Sequence, residues 1–158
     1  ALTLLDAEWK NVDHSDWHYA AFADELYRRG AAEDRPELFK RMAYNALVGN
    51  ADDHPRNHAV ICQEGRWRLS PMYDVIPILG EGPAQTLSMA VGRQGTAITR
   101  ANMLSECQHF GLTEEAAAAI LDEVASWDNE LKTYYGVFLA GADLDAAVAA
   151  VSGARLRA

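Results

Sequence analysis

The hydrophobic pattern changes period near the middle of this chain, and that change restricts the fold more than any other feature. In "AEDRPELFKRMAYNALVGN" the apolar residues recur at helical spacing, with Asp34 and Glu37 at capping-box spacing and Gly49 at the end. The runs "HAVIC" and "WRLS" that follow are short and strand-like, and "QEGR" between them is a hairpin turn that contains Gly65. The sequence therefore predicts a helix that leads into a hairpin of two buried strands.

Most of the remaining chain is predicted to be helical. One helix covers "VDHSDWHYAAFADELYRRG", and three alanine-rich, amphipathic segments follow residue 99. The predicted helix starts are Asp13 or Ser15, Thr99, Thr113 and Asp143. The glycine-rich stretch at 80–100 is predicted to be a loop, with "TLSMAV" as a candidate short strand. The expected fold is mainly α, with one hairpin inserted near the middle.

Composition favours one globular domain that acts outside the membrane. The chain has 158 residues, 49% of them hydrophobic, which is enough for a core of its own. Fourteen Lys and Arg against 23 Asp and Glu give a net charge of −9, which argues against bulk binding of nucleic-acid phosphates. No apolar run reaches the roughly 18 residues of a membrane span, and we expect no signal peptide. The two cysteines could form one disulfide, but a domain of this size does not need one, and the expectation is two reduced thiols in a cytoplasmic protein. Cys62 lies in an apolar run and is expected to be a core residue.

Polar side chains flank the hairpin at positions that its geometry brings together. In two antiparallel strands the start of the first lies roughly 5 Å from the end of the second. Asn57 precedes the first strand, Asp74 follows the second, and the preceding helix delivers Asp52 to the same end. Two carboxylates and an amide oxygen suit Mg²⁺, which also takes water and phosphate oxygens. An acid that is not needed as a ligand can accept a proton from an attacking hydroxyl.

The spacing Asp52-x-x-x-x-Asn57 is that of a protein-kinase catalytic loop, in which a second metal-binding Asp follows after a hairpin. The simpler interpretation is that Asp52 and Asp53 form a solvated turn, and Asp53 itself is expected to be such a residue or a loop cap. Two histidine pairs have the i, i+4 spacing that can bind zinc on a helix. His58 is predicted to begin a strand, so His54 with His58 fits zinc poorly, and His14 with His18 is expected to lie on a plain surface helix.

The stretch "GNADDHPRN", followed by the two strands and "WRLSPMYDVIP", resembles the C-terminal kinase core of HipA-type serine/threonine kinases. Those kinases are the toxins of bacterial toxin–antitoxin systems. The resemblance covers most of the chain and implies a protein-kinase-like C-terminal lobe over residues 1–158. Asn50-Ala51-Asp52 in place of His-Arg-Asp, and Tyr73-Asp74-Val75 in place of Asp-Phe-Gly, are departures from eukaryotic kinases that the HipA type itself shows.

The resemblance also implies roles for individual residues. Asp52 would be the catalytic base, and Asn57 and Asp74 would hold Mg²⁺ against the phosphates of ATP. The residues implied to line the nucleotide side, together with Asn57 and Asp74, are His54, Arg56 and Tyr73. The implied partners are a protein substrate, with an aminoacyl-tRNA synthetase as one candidate, and a small HipB-like DNA-binding antitoxin.

A kinase also needs a lobe that covers the nucleotide, with a phosphate-binding loop and a lysine. The only lysines are Lys10, Lys40 and Lys132, and none follows a glycine-rich loop on a strand. We therefore expect the N-terminal lobe to be absent from this chain, and the fragment to transfer phosphate poorly or not at all.

Two other functions are compatible with the same residues. The first is a metal-dependent hydrolase that uses Asp52, Asp53, His54 and Asp74 and needs no further lobe. The second is a non-catalytic module that binds an antitoxin or another protein.

Overall fold

The computed structural model of the chain describes residues 1, 3–6, 16–78 and 82–158. These ranges contain helices and one antiparallel hairpin, which confirms the expected mainly helical fold with a hairpin near the middle. The elements are α1 (Tyr19–Arg28), α2 (Arg35–Val48), β1 (Val60–Gln63), β2 (Arg66–Leu69), α3 (Arg100–Leu104), α4 (Glu114–Ser126), α5 (Asp128–Phe138), α6 (Gly141–Ala150) and α7 (Ala154–Arg157). Short 3₁₀ turns lie at Ala32–Asp34, Pro55–Asn57 and Cys107–Phe110.

Helix α2 lies at the centre of the core, in contact with both α1 and α4. Its predicted apolar stripe is buried, and Phe39 packs edge-on against Phe110 with ring centroids 5.2 Å apart. The helix ends at Gly49, whose φ of 73° is the left-handed conformation that glycine adopts without strain. The core therefore holds α2 firmly, and the chain that leaves its C-terminal end starts from a well-defined position.

The hairpin is more exposed than its apolar sequence predicts. Its strands pair from Val60 with Leu69 to Gln63 with Arg66, around a two-residue turn in which Glu64 and Gly65 both have positive φ. Only Leu69 of β2 is buried, so the expectation of two buried strands is wrong. The ribbon has two strands and packs on the helical core only near its open end, which leaves the turn end in solvent.

The prediction of reduced thiols and the prediction that Cys62 lies in the core have different outcomes. Neither Cys62 nor Cys107 forms a disulfide, and Cys107 is buried. Cys62 is exposed, so its predicted place in the core is wrong. It lies in the outer half of β1, opposite Trp67, where the hairpin has already left the core.

Asp34 attaches the hairpin to α2 instead of capping the helix as predicted. It stands at the N-cap position, but its side chain makes no capping hydrogen bond. Its carboxylate accepts hydrogen bonds from Arg68 Nη2 at 2.7 Å, from Arg68 Nε at 2.9 and 3.1 Å, and from the Leu69 amide at 2.8 Å. A charged, forked donor and a strand amide satisfy this buried carboxylate more completely than a helix N-terminus would.

Other helix boundaries agree in part with the sequence pattern. The side chains of Thr99 and Thr113 accept hydrogen bonds at the starts of α3 and α4, as predicted. Helix α1 is capped by His18, whereas the predicted caps at positions 13 and 15 lie outside the described residues. The long predicted helix after position 113 is divided at Trp127 into α4 and α5, and α6 begins at Gly141, before the predicted position 143.

The described part of the loop before α3, residues 82–99, contributes to the core although it contains no extended strand. The segment "TLSMAV" forms only isolated bridges, between Thr86 and Ala97 and between His18 and Ala90. Its apolar side chains are nevertheless buried: Leu87, Met89 and Val91. None of the described helices combines the length and the apolar character that crossing a membrane requires.

Asp34→Asn tests the attachment of the hairpin. The hydrogen bond from Arg68 holds the pKa of Asp34 below its ordinary value. The stabilisation from this bond is therefore fully present above about pH 4, which is the pKa of the carboxyl in the unfolded chain. It is lost as the pH falls through the lower pKa that the carboxyl has in the folded protein. We expect the substitution to reduce the free energy of unfolding by about 1–3 kcal/mol at about pH 7, measured by urea denaturation, and by much less at about pH 2.

Glu33→Gln is the matched control. Glu33 Oε1 lies 3.7 Å from Arg68 Nη1, but its side chain is 63% exposed. We expect this change to alter the free energy of unfolding by less than about 0.5 kcal/mol. Equal effects of the two substitutions would mean that Asp34 does not anchor the hairpin.

Candidate functional site

The candidate site begins where the chain leaves α2. After Gly49, the amide of Ala51 donates to the Gly49 carbonyl at 2.9 Å, and the Ala51 carbonyl accepts from Ser88 Oγ at 2.8 Å. The Gly49 carbonyl also accepts from the amide of Ile78 at 3.0 Å. One short turn is thus bonded both to the loop before α3 and to the segment that follows Asp74.

Asn57 joins the two carboxylate-bearing segments of the site. Its Nδ2 donates to the backbone carbonyl of Asp52 at 3.3 Å and, more weakly, to that of Asp74 at 3.5 Å. Asn57 is buried, whereas Asp52 and Asp74 are exposed. The structure therefore brings the three residues together at the open end of the hairpin, as its geometry predicts. Because Nδ2 is used in this way, Oδ1 is the atom that Asn57 can offer to a cation.

The backbone of Asp74 adopts a conformation that is uncommon for a residue with a side chain. Its φ is 57°, in the left-handed region, which Asp and Asn tolerate better than most other residues. Such strained residues persist where the surrounding structure holds them, and they occur often at functional sites. Here the bonds from Asn57 to the Asp74 carbonyl and from Ile78 to Gly49 hold the segment on either side.

The remaining predicted site residues lie in two places. Tyr73 donates from its hydroxyl to the Arg56 carbonyl at 2.7 Å, so the segment before Asp74 is joined to the turn before Asn57. Partial burial and the charge of Asp74 raise the pKa of Tyr73, which keeps this hydroxyl protonated as a donor. The half-buried ring of His54 lies edge-on to Trp17, with centroids 6.4 Å apart.

Asp53 is the residue that sequence reasoning misjudged. It is not a solvated turn residue or a loop cap, because it is fully buried. Its Oδ1 lies 2.6 Å from Nε2 of His58, and its Oδ2 accepts a hydrogen bond from the hydroxyl of Tyr19. No local pattern indicates this pairing, since Tyr19 lies 34 positions away in α1.

The donor set fits a hard divalent cation that keeps part of its water shell. Asp52 and Asp74 are exposed and carry carboxylates, and Asn57 offers an amide oxygen, which are the kinds of oxygen donor that Mg²⁺ takes together with water and phosphate oxygens. Ligand sets of this kind suit Mg²⁺ better than zinc, which favours nitrogen and sulfur.

The geometry favours the metal centre of a hydrolase less than it favours a Mg²⁺ site. The residues that a hydrolase would use are Asp52, Asp53, His54 and Asp74. In the part of the chain that the structure describes, no three His, Cys, Asp or Glu side chains are grouped so that they could hold a metal ion. Both carboxylate oxygens of Asp53 are already bonded to His58 and Tyr19. The pair of His14 and His18 cannot be compared, because position 14 lies outside the described residues.

Comparison with known proteins agrees with this architecture. The profile of the HipA-like C-terminal domain family matches residues 1–130. Among solved structures, the chain is similar to one from the Shewanella oneidensis MR-1 toxin–antitoxin complex of HipA, HipB and operator DNA, with a TM-score of 0.67 and 17% sequence identity. The match covers 88% of this chain and 35% of that one, so this chain spans about a third of the relative's length. At this identity the likeness establishes a shared fold.

Asn57→Asp tests the role of the amide that joins the segments. The change replaces the donating Nδ2 with a carboxylate oxygen, which would face the carbonyls of Asp52 and Asp74. We expect the free energy of unfolding to fall by about 1–3 kcal/mol in metal-free buffer, measured by urea denaturation. Asn129→Asp, the same change at an exposed position of α5, is the control and should have little effect. A neutral result for Asn57→Asp would show that these hydrogen bonds contribute little.

Proposed function

The chain belongs to the family of HipA-like C-terminal domains, and we propose that it is the catalytic C-terminal lobe of a serine/threonine protein kinase toxin. In this proposal the protein transfers the γ-phosphate of ATP to a hydroxyl group of a protein substrate. The observation that carries the proposal is the meeting of Asp52, Asn57 and Asp74 at the open end of the hairpin, with Asn57 bonded to both of the other residues. Phosphoryl transfer depends mainly on positioning and on neutralising charge, which are the properties that this arrangement supplies.

Asp52 is the proposed catalytic base. Asp52 is exposed beside the proposed metal ligands, which supports access by the hydroxyl of a large protein substrate. The base orients that hydroxyl and accepts its proton as the oxygen attacks phosphorus. The hydrogen bond that Asn57 Nδ2 donates to the Asp52 carbonyl keeps the backbone of the proposed base next to a proposed metal ligand.

Asn57 and Asp74 are the proposed ligands of Mg²⁺, through the amide Oδ1 and the carboxylate. The ion, when bound, neutralises charge on the phosphates of ATP. Arg56, Tyr73 and His54 would line the phosphate side. The guanidinium group of Arg56 suits phosphate oxygens, and the bond between the Tyr73 hydroxyl and the Arg56 carbonyl keeps this residue near Asp74.

We further propose that a separate N-terminal lobe covers the nucleotide. A kinase needs a phosphate-binding loop and a strand lysine, and no lysine in this sequence follows such a loop. On this view residues 1–158 supply the base and the metal ligands, and the chain alone transfers phosphate poorly or not at all.

The proposed partners follow from the family and from the similar structure. That structure contains HipA with HipB and operator DNA, and a HipB-like DNA-binding antitoxin is the corresponding partner here. An aminoacyl-tRNA synthetase is a candidate substrate, which would place the reaction in the cytoplasm. The net charge of −9 supports contact with DNA through such a partner rather than through this chain itself.

Metal binding by this chain is the first test of the proposal. We expect Mn²⁺, used as a paramagnetic substitute for Mg²⁺, to bind at one site and to broaden NMR signals of Asp74 and Asn57. Asp74→Asn removes the charge but retains a residue that tolerates positive φ, and it should weaken binding roughly tenfold or more. Asp145→Asn, an exposed change on α6, should leave the affinity unaltered. Equal affinities of all three proteins would contradict the metal site.

Phosphate transfer by the full-length parent is the second test. Asp52→Asn should retain Mn²⁺ binding and reduce the rate of transfer from radiolabelled ATP by about 10²–10⁴-fold, the usual contribution of a general base. Full transfer and full toxicity in this variant would refute the kinase assignment and favour a non-catalytic binding module. Turnover by the isolated chain with Mn²⁺ or Zn²⁺ and no nucleotide would favour a hydrolase.

A further inference from the structure

We propose that Asp53 is a positioning residue, whose buried carboxylate holds the loop between Asp52 and Asn57 in the geometry that the site requires. This inference deepens the proposed function and rests on it, because it assigns a role to a side chain that touches neither substrate nor metal. Asp53 would act through its neighbours in the loop rather than on the reacting atoms.

The first argument is the position of Asp53 and its partner His58 in the loop. Asp53 directly follows the proposed base, and His58 directly follows the proposed metal ligand Asn57. The bond that Asn57 Nδ2 donates to the Asp52 carbonyl joins the two ends of this loop. The contact of 2.6 Å between Asp53 Oδ1 and His58 Nε2 joins them a second time, one residue further along the chain at each end. Asp53 and His58 are both buried, whereas the proposed base Asp52 is exposed.

Tyr19 connects this loop to the rest of the molecule. Its hydroxyl donates to Asp53 Oδ2, and burial together with the Asp53 charge raises its pKa well above the ordinary value, which keeps the hydroxyl protonated. The Tyr19 backbone amide donates to the Ala90 carbonyl at 3.1 Å. The loop is in this way tied both to the first turn of α1 and to the segment before α3.

Two asparagines extend the same network to the end of α2. Asn45 Nδ2 donates to the Tyr19 hydroxyl oxygen at 3.1 Å, and Asn50 Nδ2 donates to Asn45 Oδ1 at 3.2 Å. The Asn50 carbonyl accepts from the amide of Asp53 at 3.2 Å, which completes a ring of bonds. Asn45, Asn50 and Asp53 are all buried, so each bond replaces contact with water.

The energetics of burial favour a single geometry for this loop. A carboxylate taken out of water is costly unless strong partners satisfy it, and a buried network with every member bonded is rigid. Rotating Asp53 out of its place would separate it from Tyr19 and His58 at once. Replacing a side chain that hydrogen-bonds to a metal ligand commonly changes metal affinity by about 10–100-fold, and because Asp53 acts through the loop and not on a ligand, we expect the lower end of that range.

The test compares two conservative variants of this chain. Tyr19→Phe removes one hydroxyl and keeps the buried ring, and Asp53→Asn removes the charge and keeps the shape. The first readout is hydrogen exchange of the metal-free protein, at the amides of Asp53 and Asn57, which are bonded to the carbonyls of Asn50 and His54. The second readout is the dissociation constant for Mn²⁺.

We expect the amides of Asp53 and Asn57 to exchange roughly tenfold faster in the variants, while the amides of α4 keep their protection. We also expect Mn²⁺ to bind about tenfold more weakly. Tyr135→Phe, the same change on a half-buried residue of α5, should alter neither readout. If Asp53→Asn does not fold, Tyr19→Phe decides alone.

Two results would overturn the inference. One is unchanged loop exchange in folded variants. The other is a uniform rise in exchange that includes α4, with unchanged Mn²⁺ affinity, since this is what a purely stabilising role predicts. Absence of Mn²⁺ binding by the unsubstituted chain would contradict the proposed metal site, and the exchange rates would still decide whether Asp53 positions the loop.

Discussion

An antiparallel hairpin brings the start of its first strand beside the end of its second, about 5 Å away, and the candidate site depends on this constraint. The pairing of Val60 with Leu69 at the open end is what places the turn before β1 next to the segment after β2. Asn57 then bonds both sides through a single amide group. Without the hairpin, Asp52 and Asp74 would have no reason to meet, and α2 would end in an ordinary solvated turn.

The acidic residues around the hairpin differ in their surroundings, and the differences separate structural from candidate functional groups. Asp34 is satisfied by Arg68 and the amide of Leu69, and Asp53 by His58 and Tyr19. Both carboxylates are buried, and Asp34 joins the ribbon to the start of α2. Those of Asp52 and Asp74 are exposed. Packing thus supplies the rigid support, while the exposed acids remain accessible from solvent.

Sequence reasoning succeeded where the cause of a structure lies within a few residues. The caps at Thr99 and Thr113, the left-handed end of α2 at Gly49 and the turn at Gly65 depend on local hydrogen bonding and on backbone freedom. It failed for Cys62, whose apolar neighbours indicated burial, because the exposure of a strand residue depends on how much of the ribbon the helices cover. The roles of the site residues in catalysis stay predictions.

The amino-acid sequence by itself determined the mainly helical fold, the hairpin and the approach of Asp52, Asn57 and Asp74 at its open end, because periodicity and turn chemistry act over short distances. Only the tertiary structure decided which of two adjacent acids is buried and which partner Asp34 takes. Tyr19 and Arg68 each lie 34 positions from the carboxylate that they bind. A charge that leaves water must find its partners in space, and the packing of α1, α2 and the hairpin is what brings these partners within reach.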